Sequence, residues 1–283
     1  MPLADLAQLA RECRAAGTGL GAFNVVHLEH AEVFAAAAER AGRPVVLQIS
    51  QNAVAYHGSL APLAAGVLAV ARSAAVPVVV HLDHAEDVGL IDEALELGIA
   101  SVMYDGSRLP DDANRATTAQ VVARAHAAGA TVEAELGEVG GKNGVHDPSA
   151  RTDPGDAARF VEETGVDLLA VAVGSSHAMT TRDASIDTEL VAALAAALPV
   201  PLVLHGSSGV SDAGMRAAIT AGMTKINVST HLNKLVTGAV RKLLSDRPDV
   251  VDTRAWFRAG NEAVGPEVER LLRWYAGEVN ATA

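Results

Sequence analysis

Three of the chain's ten histidines, His84, His177 and His205, stand at or just after the ends of apolar runs. His84 closes HLDH, His177 closes VGSSH, and His205 closes VLH ahead of a glycine-rich turn. Three neutral imidazoles brought together with one position left open are the donor set of a catalytic zinc site. The plainer alternative is that each packs or caps locally. Asp83 adjoins His84, where a carboxylate serves as general acid/base or as an orienter of a metal ligand. Asp105 and Glu135 end two further runs and suit either a second divalent or monovalent cation or the orientation of the histidines, although a structural cap also accounts for Asp105. His30, His57, His126 and His231 fall on helical or loop segments and His81 falls inside a run, so packing or surface roles are expected for them.

Two stretches suit an anion. His205 is followed by Gly206, Ser207, Ser208 and Gly209, whose N–H groups and hydroxyls precede a helix expected from about Ser211. Asn227, Val228, Ser229 and Thr230 add donors, so a phosphorylated substrate is favoured over a neutral one. Nucleotide motifs are absent: GEVGGKN lacks the first glycine and the hydroxyl residue of a phosphate-binding loop, and GTGLG has the wrong spacing for a dinucleotide site. No G-x-S-x-G elbow is present. Of the four lysines, Lys225 reads as the start of a strand and is expected at the opposite end from the chemistry, which leaves no candidate for a Schiff base.

The elements that must position these residues are eight β-rich runs, Leu20 to Val25, Val45 to Ser50, Val76 to His84, Ser101 to Asp105, Thr131 to Gly137, Leu168 to Gly174, Pro201 to Ser207 and Lys225 to Thr230. Their nearly unbroken Val, Ile and Leu content suits parallel strands covered on both faces. Helical spacing recurs between them, over His30 to Ala41, Asp87 to Leu97, Ala113 to Ala128 and Ser211 to Ala221, and Gly42, Gly98, Gly129, Gly165 and Gly222 stand where helices stop. Eight such units predict an α/β fold, a (β/α)8 TIM barrel with an N-terminal helix and a C-terminal helical tail from about Asp252. Nothing divides residues 1–283, so a single domain is expected. In such a barrel the active face lies at the strand C-termini, which adds Asn24 and Ser50 to the candidate residues. Glu138 to Asp153 lacks periodicity and has the length of a lid.

Composition narrows the partners. Of 283 residues, 49% are apolar, and 34 acidic against 22 basic residues give a net charge of −12. That charge repels phosphate backbones and argues against a nucleic-acid partner. Cys13, the only cysteine, allows neither an internal disulfide nor a thiolate cage. No export signal is expected at the N-terminus, and the longest apolar run, Leu190 to Leu204, is broken by Pro199 and Pro201. A soluble, cytoplasmic protein with no membrane partner is the expectation.

Taken together, HLDH, SVMYDGS, VEAELG, VGSSH, VLHGSSG and KINVST, in this order along nearly the whole chain, resemble the class II, zinc-dependent fructose- and tagatose-bisphosphate aldolases. The resemblance implies that His84, His177 and His205 ligate zinc, that Asp83 is the proton donor, and that Asp105 and Glu135 form an alternative metal position. It further implies that Gly206, Ser207, Ser208, Asn227, Val228, Ser229, Thr230 and the N–H of Ala178 bind the dihydroxyacetone-phosphate half, with Asn24 and Ser50 on the rest of the sugar. A homo-oligomer, dimer or tetramer, is implied as well. The pattern departs from the family at Ala178, where glycine is usual, at Lys142 and Asn143, where the lid usually carries acidic residues, and at Asn233, where a longer side chain is common. Glu138, His146 or Asp147 is the candidate to replace the missing lid carboxylate. Divergence of this kind keeps two alternatives open, a metal-dependent hydrolase or aldolase for another aldehyde, and a non-catalytic sugar-phosphate sensor.

Overall fold

A computed structural model describes residues 3–136, 151–176 and 179–278. Eight parallel strands close a barrel in chain order: β1 (Leu20–Asn24), β2 (Val45–Ser50), β3 (Val78–Ala85), β4 (Ser101–Tyr104), β5 (Thr131–Glu135), β6 (Leu168–Ala170), β7 (Leu202–Leu204) and β8 (Met223–Val228). This is the TIM barrel expected from the eight runs. Strands six and seven are shorter than their apolar runs, because the chain leaves the sheet after Ala170 and Leu204 to build loops.

Crossover helices surround the barrel: α2 (Leu28–Ala41), α3 (Gln51–His57), α4 (Ala61–Ser73), α5 (Val88–Glu96), α6 (Asp111–Ala127), α7 (Pro154–Thr164), α8 (Thr188–Ala197) and α9 (Asp212–Ala221). The C-terminal tail is two helices, α10 (Thr230–Asp246) and α11 (Thr253–Tyr275), with α11 packed on both α2 and α10. Asp252 caps α11 by accepting from the Arg254 N–H, and Tyr275 is buried against the barrel. No single helix among the described residues is long and apolar enough to cross a membrane.

Alternation along the strands builds the barrel interior in layers. Leu20, Ala22, Val46, Val79, Leu168, Ala170 and Val203 form an apolar lower plug with Leu6, Ala7 and Ala10 of the N-terminal helix α1 (Leu6–Ala16). Two residues further along several strands the same inward positions turn polar: Gln48 follows Val46, His81 follows Val79 and His205 follows Val203. Because side chains alternate with period two, this continuation carries each strand from an apolar floor to a polar top without changing face.

Candidate active site

Asp83 and His84 are neighbours in β3, so a regular strand would aim them to opposite faces. Pairing with β4 shows how both reach the site. Leu82 pairs with Val102 and Ala85 with Tyr104, so β3 spends one extra residue over this span, and His84 adopts the left-handed region at φ 50°. A bulge of this kind re-aims a side chain next to an active site, at a backbone cost of about 1–3 kcal/mol for a non-glycine residue.

His84 Nδ1 lies 2.9 Å from Asp105 Oδ2, and Asp105 is itself held by the Ser107 N–H and hydroxyl. His205 Nε2 lies 3.0 Å from Glu133 Oε1. With a carboxylate on each outer nitrogen, the inner ones, His84 Nε2 and His205 Nδ1, face each other at 2.8 Å. With the outer nitrogens carrying the protons, the two inner lone pairs face each other, and positive charge between them, a proton or a cation, relieves the repulsion. In the protein alone that charge is a proton: burial opposes charging His84, but Asp83 beside it, the bond to Asp105 and the charge of Glu135 push its pKa up to about 9. The same point suits a metal ion. Asp83, His84 and His205 bring one ligand atom each within 4.8 Å of one another, and His84, Asp105 and Glu135 do the same. Imidazole and carboxylate donors of this mixture fit zinc better than magnesium, which takes oxygen ligands.

Asp83 is buried and held from two sides. Asn24 Nδ2 donates to its Oδ2 at 2.9 Å and Asn227 Nδ2 to its Oδ1 at 3.3 Å, while Gln48 Nε2 donates to Asn24 Oδ1 at 2.9 Å. Asp83, Asn24 and Asn227 line a cavity of about 550 Å³, with Gln48 beneath them. One wall is Gly206, Ser207, Ser208, Asn227, Ser229 and Thr230, which joins the turn after β7 to the start of α10. Gly206 has φ 67°, and a Cβ there would meet the Ser176 backbone at 2.6 Å, so only glycine allows this approach. Ser207 donates to the Asn227 carbonyl, and Ser208 Oγ accepts from the His231 N–H at 3.1 Å. His231 in turn meets Glu267 of α11 at 2.7 Å, and Arg270 pairs with the same carboxylate. Gln51, Asn52, Glu86 and Arg108 line the mouth.

The structure therefore brings together Asp83, His84, His205, Asp105 and Glu135, with Asn24 and Ser50 on the cavity wall. Val228 is buried in the hydrophobic core and does not line the cavity. His177 and Ala178 lie outside the described residues, as do Glu138, Lys142, Asn143, His146, Asp147 and most of the lid segment. Lys225 corrects the sequence reading. It is the third residue of β8, not the first, and its fully buried side chain runs up the interior to meet Glu133 and Asn227 at 2.9 and 2.8 Å. Gln48 and Glu133 carry no motif of their own in the sequence, yet each stands two residues before a candidate, Ser50 and Glu135, and so on the same inward face.

A parallel barrel with a histidine–carboxylate centre and a glycine–serine turn at its strand C-termini is the architecture of a metal-dependent barrel enzyme. Residues 4–279 match the model of the fructose-bisphosphate aldolase class-II family, and the chain belongs to that family: it is a class II aldolase, a carbon–carbon lyase of a metal-dependent kind. Among its relatives, the fructose-bisphosphate aldolase of Giardia intestinalis is 35% identical, over 93% of this chain and 90% of that protein. The 6-phospho-5-dehydro-2-deoxy-D-gluconate aldolase of Halalkalibacterium halodurans is 34% identical, over 96% of each. The crystal structure of the YdjI aldolase from Escherichia coli superimposes with a TM-score of 0.85 at 32% identity, covering 99% of this chain and 100% of that one.

Proposed function

We propose that the chain catalyses zinc-dependent, reversible aldol cleavage of a ketose bisphosphate, fructose 1,6-bisphosphate or tagatose 1,6-bisphosphate, to dihydroxyacetone phosphate and an aldehyde such as glyceraldehyde 3-phosphate. The observation that carries this reading is the pair of carboxylate-anchored imidazoles facing each other at 2.8 Å beside Asp83. His84, His205 and His177 hold the ion, and Asp105 and Glu135 orient His84 and offer the alternative position. When bound, zinc supplies a Lewis acid for the negative charge that cleavage leaves on the substrate oxygens. Asp83 takes the C4 hydroxyl proton during cleavage and returns it during condensation, and the two asparagine donors keep its carboxylate aimed at that proton. Gly206, Ser207, Ser208, Ser229, Thr230 and the backbone of Ala178 and Val228 receive the phosphate of the dihydroxyacetone half. Asn24 and Ser50 meet the remaining carbons.

The test is incubation with each ketose bisphosphate, with and without a chelator, while triose phosphate release is followed. Release from one ketose, stopped by chelation and restored by zinc, is the expected result; no release from either, or release indifferent to chelation, ends the reading. One observation favours a second reading with another aldehyde half. Among the described residues lining the cavity Arg108 is the sole lysine or arginine, and it is paired with Glu86 at 3.1 Å, which limits the positive charge offered to a second phosphate. In that case neither bisphosphate is cleaved, yet dihydroxyacetone phosphate still exchanges a C3 proton with solvent.

A further inference from the structure

Glu133 and Lys225 are charged, fully buried and absent from the cavity wall. They meet one layer beneath the site, Nζ to Oε2 at 2.9 Å. A buried ion pair is a weak source of stability, because desolvating both charges offsets most of their attraction. What each ion does on its far side is more telling. Glu133 Oε1 meets His205 Nε2 at 3.0 Å. A carboxylate only accepts, and it lies nearer that nitrogen than the Asn227 Nδ2 at 3.3 Å, so the nitrogen carries the proton and His205 presents an unprotonated Nδ1 toward His84. Lys225 Nζ donates to Asn227 Oδ1 at 2.8 Å. An ammonium only donates, so the carboxamide cannot flip, and its Nδ2 is turned to Asp83. His81 closes the remaining side, with Nδ1 2.8 Å from Ser101 Oγ and Nε2 3.7 Å from Glu133 Oε2.

We propose that the Glu133–Lys225 pair sets the polarity of the active site from below: Glu133 dictates which nitrogen His205 offers to the metal, and Lys225 dictates which end of the Asn227 carboxamide faces Asp83. Both are positioning residues that touch neither substrate nor metal. The inference deepens the aldolase reading and rests on it for the purpose of the metal centre, but its main readout is metal binding and not turnover.

The experiment measures zinc affinity by chelator competition for the full-length wild type, Glu133→Gln, Lys225→Met and the double variant. The His205 tautomer is read from nitrogen-15 histidine spectra of the same proteins. Glu133→Gln keeps the size but offers an amide that either donates or accepts; the expected result is a zinc affinity lower by about 10–100-fold and a mixture of His205 tautomers. Lys225→Met is expected to lower kcat for cleavage at least about tenfold while KM stays within about threefold, since Asn227 loses its fixed orientation but the substrate contacts remain. The double variant carries no buried charge at these positions, so it keeps the test open if a single variant fails to fold. A folded variant without the Glu133 carboxylate that binds zinc within about threefold of wild type and keeps one His205 tautomer overturns the proposal. Loss of fold in all three variants makes the pair structural and also overturns it. If instead the wild type binds zinc but cleaves nothing, the aldolase reading fails while the Glu133 arm still stands on the affinity data.

Discussion

Gly206→Ala tests how tightly the turn after β7 is built, and Gly42→Ala supplies its control. Both glycines are left-handed, at φ 67° and 63°. The structure separates them by surroundings: a Cβ on Gly42 meets nothing within 4 Å, whereas one on Gly206 meets the Ser176 carbonyl carbon and oxygen at 2.6 Å and its nitrogen at 2.8 Å. Each alanine costs about 1–2 kcal/mol for its backbone conformation. Only Gly206→Ala adds overpacking, about 1–3 kcal/mol, and since the obstacle is backbone it cannot swing aside. Gly42→Ala should therefore lose about 1–2 kcal/mol and Gly206→Ala about 2–5 kcal/mol, out of the 5–15 kcal/mol usual for a domain. The assay is urea denaturation of both variants and wild type, comparing midpoints at equal slope. Stabilities of the two variants within about 0.5 kcal/mol of each other would refute the close-approach argument. Because Gly206 joins His205 to Ser207 and Ser208, the clash should also weaken zinc and phosphate binding in Gly206→Ala and leave both intact in Gly42→Ala.

Three further outcomes follow from the same geometry. Asp83→Asn keeps the size but exchanges one accepting oxygen for an amide donor that faces an asparagine N–H, and it cannot take a proton, so cleavage should slow by about 10²–10⁴-fold while zinc still binds; a rate within about tenfold of wild type, in steady-state kinetics, contradicts the role given to Asp83. Metal uptake must displace the proton that His84, with its pKa pushed up to about 9, shares with His205. Protons therefore compete with zinc more strongly as pH falls, and affinity should rise by up to about tenfold per unit from about pH 6 to 8, with proton release measured by calorimetry in buffers of different ionisation heat; a flat profile speaks against it. Glu267 is partly buried, which alone would raise its pKa, yet Arg270 and His231 hold it down to about 2 from 4.5. A depressed carboxylate stabilises the fold above its unfolded value and loses that contribution as pH falls from 4.5 toward 2. After discounting for solvent screening the contribution is about 1–2 kcal/mol, so the advantage of wild type over Glu267→Gln in denaturation should be full at pH 7 and shrink near pH 3; an unchanged advantage refutes the assignment.

The barrel was legible because parallel strands buried on both faces read as apolar runs, and β2 has the bounds its residues suggest. The runs around β6 and β7 mislead by length, since Val171 to Val173 are as buried as the strand that precedes them although they no longer pair as strand. At the site, strand-end residues drew attention because a polar group there has few structural reasons to exist. Residues one layer lower either carry no such mark, as Gln48 and Glu133, or read as having packing or remote roles, as His81 and Lys225. Gln48, His81, Glu133 and Lys225 sit in the middle of strands, where a polar residue reads as an exception, and only the two-residue spacing to Ser50, Asp83, Glu135 and Asn227 relates them to the chemistry. The bulge at His84 had no signal, because nothing in HLDHA shows that two consecutive side chains share a face.

The apolar plug under the polar storeys has a consequence for how such a scaffold changes over time. Leu20, Val46, Val79 and Leu168 seal the lower end with α1 and touch none of the reacting groups, so foldability and chemistry are written on separate levels of the same strands. Substrate preference is thus free to drift through the rim, at positions such as Gln51, Asn52 and Arg108, without renegotiating the foundation that keeps the cylinder closed.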